Sequence, residues 1–113
     1  MSATFSEHNT VTTGAETRVT ATDLDISDGT FRLRVINRTG TGEIYFNVSI
    51  DPNNPADAPT AGAPGTYVLP AVISEEFVPV PGFDRYLDVR MIADGADTEF
   101  SVVLDAAHAR FGA

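Results

Sequence analysis

Leu87-Asp88-Val89-Arg90-Met91-Ile92-Ala93-Asp94-Gly95-Ala96-Asp97-Thr98-Glu99-Phe100-Ser101-Val102-Val103-Leu104 decides the fold class. Leu87, Val89 and Met91 alternate with Asp88 and Arg90; Phe100, Val102 and Leu104 alternate with Ser101 and Val103. Successive side chains of a strand point to opposite faces, so a period of two marks a strand with one face buried. Asp94-Gly95-Ala96-Asp97 between the two runs is turn chemistry. The stretch predicts a hairpin of strands 87–93 and 98–104.

The same pattern extends outward. Phe31, Leu33 and Val35 alternate with Arg32 and Arg34, and Ile44, Phe46, Val48 and Ile50 alternate with Tyr45, Asn47 and Ser49. The intervening residues 37–42, Asn-Arg-Thr-Gly-Thr-Gly, predict a second hairpin turn. Residues 72–80 form a further strand, and Pro79 places it at an edge or a bulge. Residues 11–13 and 16–21 are weaker, Thr-rich strands suited to an edge, and 67–70 is extended. A sheet with one apolar face must be covered. The expected fold is therefore all-β: a single-domain antiparallel β-sandwich of about seven to eight strands with extended terminal arms. The boundaries read as an N-terminal arm over 1–10, a sandwich over 11–104 with a long loop at 51–66, and a C-terminal arm over 105–113. The loop, DPNNPADAPTAGAPGT, carries no large apolar residue. Loops of that length are commonly functional or mobile.

Composition bounds the function. The chain has 113 residues, one domain's worth. Hydrophobic content of 42% and a mean hydropathy of -0.03 are ordinary for a globular chain. Without cysteine there is no disulfide framework, thiol nucleophile or Cys-ligated metal. Sixteen acidic residues face seven basic ones, all arginine, for a net charge of -9. That field repels nucleic acid and anionic membranes, so neither is expected as a partner. No apolar run reaches the length of a transmembrane helix. The N-terminal residues lack the basic and apolar regions of a signal peptide, which implies assembly in the cytoplasm.

Catalytic chemistry finds little purchase. The two histidines, His8 and His108, lie in the terminal segments, far from any triad or metal spacing. No enzyme activity and no cofactor is expected. Asp23, Asp25 and Asp28 precede Gly29 and offer a weak calcium candidate. An EF-hand would need a bidentate Glu where Arg34 stands, so the segment reads better as a solvated acidic turn. Asp94 and Asp97 are a weaker version of the same. Glu75 and Glu76 are sequence neighbours on a strand and point to opposite faces, which argues against a carboxylate dyad. Arg32 and Arg34 share a strand face and, with Arg90, could form a patch for a partner's carboxylates; the alternative is internal pairing with Asp88 and Glu43. Tyr45, Tyr67, Tyr86 and Phe83 could make a sugar-stacking platform or simply pack across strands.

The segment from Gly65 to Val103 carries a resemblance. It runs Gly65-Thr66-Tyr67-Val68-Leu69-Pro70-Ala71, then Val78-Pro79-Val80-Pro81, then residues 86–96, then Thr98-Glu99-Phe100-Ser101-Val102. This resembles the small β-sandwich virion proteins of tailed bacteriophages, in particular head decoration, or cement, proteins. The resemblance implies a non-enzymatic structural protein on the outer capsid surface of a virion. It would bind the major capsid protein lattice and self-associate, a trimer being favoured. Arg32, Arg34 and Arg90 on the strands, Asn53 and Asn54 in the long loop, and Phe111 in the C-terminal arm would then touch partners. Another virion component, of the tail or the head–tail joint, and a glycan- or calcium-binding sandwich module are the competing readings.

Overall fold

The structure, a computed structural model, describes residues 5–22, 30–62, 66–81 and 86–106. These residues form eight strands and no helix: β1 (Phe5–Val11), β2 (Thr17–Ala21), β3 (Thr30–Asn37), β4 (Glu43–Ser49), β5 (Tyr67–Leu69), β6 (Ser74–Pro81), β7 (Leu87–Asp94) and β8 (Thr98–Ala106). They make two four-stranded sheets, β1-β8-β3-β6 and β2-β7-β4-β5. All strand pairings are antiparallel. The expected all-β sandwich is the fold observed.

Each strand pairs with its mirror in chain order: β1 with β8, β2 with β7, β3 with β6, β4 with β5. The chain is thus one long antiparallel ribbon, folded at the loop after β4. The ribbon is then rolled, so that β8 also meets β3 and β7 also meets β4. This is the strand order of an eight-stranded jelly roll.

The alternating residues face inward as their period requires. Leu33, Val35, Phe100, Val102 and Leu104 of one sheet meet Ile44, Phe46, Leu87, Val89 and Met91 of the other, all buried. Burying each of the large side chains is worth roughly 1.5–3 kcal/mol. At the β5 edge the Tyr67 ring stacks on Phe46, with centroids 5.1 Å apart and planes 15° apart. That contact closes the flank of the core.

Three expectations change. Strands β7 and β8 are not a hairpin, because they lie in opposite sheets, and the same holds for β3 and β4. Both connections are arches from one sheet to the other. Second, the N-terminal arm expected over 1–10 is a paired strand from Phe5 onward. Strand β8 would otherwise bare its backbone donors and acceptors on one side, and β1 satisfies them. Third, β8 runs through Asp105 and Ala106, so the first two residues of the expected C-terminal arm belong to a sheet. Strands β2 and β6 do sit at sheet edges, as their threonines and Pro79 suggested.

The arches and the β5–β6 connection are locked together at one end of the sandwich. Asn37, fully buried, donates from Nδ2 to the carbonyls of Gly42 (2.9 Å) and Pro70 (3.0 Å). Its Oδ1 accepts the Gly40 amide at 2.8 Å. The Arg38 amide donates to Glu99 O (2.8 Å) and the Thr41 hydroxyl to Asp97 O (2.6 Å). Segments 37–42, 70–73 and 94–97 therefore form one cross-bonded cap.

Candidate functional site

The register orders the outer face of the β2-β7-β4-β5 sheet into rows. Glu43 lies beside Asp94, and Val68, Tyr45 and Ile92 form the next row. Asn47, Arg90 and Arg18 form a third, and Ser49, Asp88 and Thr20 a fourth. The last two rows underlie the long loop.

Arg18 and Arg90 are directly opposite each other, an arrangement that like charges disfavour. Each guanidinium is neutralised by its own carboxylate. Arg18 forks onto Asp88 with both contacts at 2.8 Å, and Arg90 forks onto Glu16 at 2.6 and 2.9 Å. Asp88 faces outward yet is fully buried beneath the loop. Its Oδ2 also accepts the Ala56 amide at 2.9 Å, while Arg90 Nη1 donates to the Ala56 carbonyl at the same distance. Two side chains of β7 thus hold both backbone groups of one loop residue, as a neighbouring strand would. Burial alone would raise the Asp88 pKa; Arg18 and the Ala56 amide outweigh it, and the carboxyl is held below its ordinary range. Glu16 is lowered chiefly by its hydrogen bond from Arg90.

The rest of the loop is fixed in kind. Asn47 Nδ2 donates to Asp57 O at 3.0 Å and the Ser49 hydroxyl to Asn54 O at 2.6 Å. Asp51 accepts the Asn53 amide (2.9 Å) and the Asn54 side chain (2.7 Å), an Asx-type turn that lowers its pKa, Asn54 contributing most. Residues 51–57 of the long loop are therefore clasped to their own sheet. Between loop and sheet lies an open depression of about 720 Å³, lined by Arg18, Asn47, Asn53, Asn54, Asp57 and Arg90 among others.

Of the residues expected to meet a partner, Arg90, Asn53 and Asn54 border this depression. Arg32 and Arg34 do not join them, because β3 belongs to the other sheet. Arg34 instead lies 3.2 Å from Asp105 and 3.7 Å from Glu75. The three-arginine patch is not formed, and internal pairing prevails for Arg90 and Arg34. It uses Glu16, Asp105 and Glu75 in place of Asp88 and Glu43. Tyr45 and Tyr67, neighbours of opposite parity, face different sides of their sheet, so they form no common platform. Phe83, Phe111, His108 and the acidic turn Asp23, Asp25 and Asp28 lie outside the described residues. Among the described residues no three carboxylate or imidazole groups are placed to share a metal. Asp97 spends an oxygen on the Thr13 amide at 2.9 Å.

His8 stands in β1 with Nδ1 against the Ser101 hydroxyl. Ser101 is only 2% exposed, so no substrate carbonyl can reach that hydroxyl in this geometry. Sequence reading missed Arg18, Asp88 and Ala56 as the centre of the clasp. An outward Asp on a strongly apolar strand was the available signal for Asp88. Comparison of the chain with protein-family models, curated proteins and solved structures gave no match.

Proposed function

We propose that the protein is a non-enzymatic structural component of a tailed-phage particle, a capsid decoration protein that binds the outer capsid lattice and stabilises the head. The observation that carries this reading is the rolled ribbon itself. Eight-stranded jelly rolls recur as capsid domains. In this one the ionisable side chains beneath the long loop, Arg18, Asp88 and Arg90, are spent on ion pairs and on holding that loop. The cross-bonded cap gives the rigid, non-reactive body that an adhesive role requires. A shell under internal pressure is strengthened by a rigid body that bridges neighbours, and multivalent attachment offsets the cost of ordering. Quantitative mass spectrometry of purified particles, with cryo-electron microscopy, tests it. Copy number near that of the capsid protein and density on the outer shell are expected. A few copies per particle would move the assignment to the tail or head–tail joint, and absence from particles would end it.

The polar depression favours one second reading, a glycan-binding module. Its guanidinium groups are already neutralised, and Asn47, Asn53 and Asp57 border it with amide and carboxyl groups suited to hydroxyls. A melting temperature that rises with millimolar sugar supports that reading, and a flat response removes it.

A further inference from the structure

The most exposed large apolar side chains of the described residues, Val72 (57%) and Ile73 (74%), sit on the β5–β6 connection, which Asn37 ties to the cap through the Pro70 carbonyl. A methyl group at Gly40 would lie 2.8 Å from the Ile73 nitrogen and the Val72 carbonyl carbon, so this segment rests directly on the first arch. The Ser74 hydroxyl donates to Val72 O at 2.9 Å, and the Val72 amide to Pro70 O at 2.7 Å. Val68 (46% exposed), two residues before Pro70, lies on the outer sheet face, where it heads the row with Tyr45 and Ile92. The free edge of β5 runs beside it.

Charge identifies the occupant. The cap segments 37–42, 70–73 and 94–97, taken with the adjoining Glu43, Glu75, Glu76 and Glu99, carry six carboxylates and one guanidinium, that of Arg38, with Arg34 3.7 Å from Glu75. Glu43 and Asp94 stand side by side next to the apolar row. A second copy of this chain would set carboxylate against carboxylate on top of a net charge of -9. We infer that the Val68–Ile73 face of the cap is a docking site for a protein segment whose apolar residues are flanked by arginine or lysine. The apolar pair supplies the anchor and the carboxylates select the partner's sign. This rests on the adhesive reading only in taking the partner to be a protein.

The probe is a synthetic hexapeptide of alternating valine and arginine, titrated into the isotope-labelled chain and followed by amide shifts. Shifts should concentrate on Gly40, Gly42, Val72, Ile73 and Ala96. Ile73→Asp should weaken binding at least tenfold without lowering the melting temperature, since the side chain is exposed. A serine–arginine peptide of equal charge should bind at least tenfold more weakly than the valine peptide. Glu43→Gln with Asp94→Asn should reduce the salt dependence. Shifts spread over all acidic surfaces, or binding unchanged in Ile73→Asp, would overturn the inference. So would a homo-oligomer in sedimentation that Ile73→Asp dissolves, since the occupant would then be a second copy. Particle copy number is read separately, so failure of the peptide test leaves the capsid assignment standing, and the reverse.

Discussion

Among the described residues, Asn37 and Asp88 are the two fully buried polar side chains with the most dependants. Asn37→Ala would strip partners from two carbonyls and one amide at the cap. Buried groups left unpaired cost about 1–3 kcal/mol each, less where water enters. A loss of about 2–4 kcal/mol, measured by urea denaturation, is the expected outcome. Asp88 carries a pH dependence. Its carboxyl, with those of Glu16 and Asp51, is held below its ordinary pKa. A carboxyl lowered on folding stabilises the fold fully above its unfolded value, and the contribution fades as pH falls through the folded one. The melting temperature should therefore be level near neutrality and drop below the ordinary carboxylate range, with a shallower drop in Asp88→Asn. Hydrogen exchange localises the effect. The Ala56 amide should lose protection in Asp88→Asn, ahead of amides in β7.

Glycines decide how the elements pass one another. A Cβ at Gly42 would sit 2.6 Å from Ala96 O and 2.9 Å from Ala96 N, where one arch crosses the other. Gly14 has a positive φ of 81° but open space around it. Gly42→Ala should accordingly cost more than Gly14→Ala, for which about 1 kcal/mol is expected from backbone strain alone. Thermal unfolding of the two variants makes the comparison. The arches also show what could be read in advance. Alternation in 87–93 and 98–104 reports which face of each strand is buried, and every inward residue it marks is inward. It says nothing of the lateral neighbour. Met91 and Phe100 have the parity to share a hairpin, and the same parity lets them face each other from opposite sheets. The turn residues Asp94-Gly95 suit either course. Strand β1 was illegible for another reason: between Phe5 and Val11 it is Ser-Glu-His-Asn-Thr, an edge strand held by backbone pairing with little apolar contact. The clasp at Ala56 depends on the β2–β7 register, which no local pattern encodes.

At the scale of the molecule, the ends of the described chain lie together, because β1 and β8 are neighbours. A dispensable N-terminal arm would tolerate removal. Deleting residues 1–11 should instead bare β8 along its length, remove the buried Val11, and leave the chain aggregated or unfolded by circular dichroism. Such far-apart pairings also make folding slow, in the range of milliseconds to seconds. Strand β8, last of the eight in order, occupies the gap between β1 and β3. During synthesis, then, β1 and β3 wait on opposite banks with nothing to span them, one backbone edge of β3 unpaired, until residues 98–106 emerge from the ribosome. A product truncated before residue 98 halts at its stickiest moment, so its soluble yield in a recombinant host should fall far below that of the 113-residue chain.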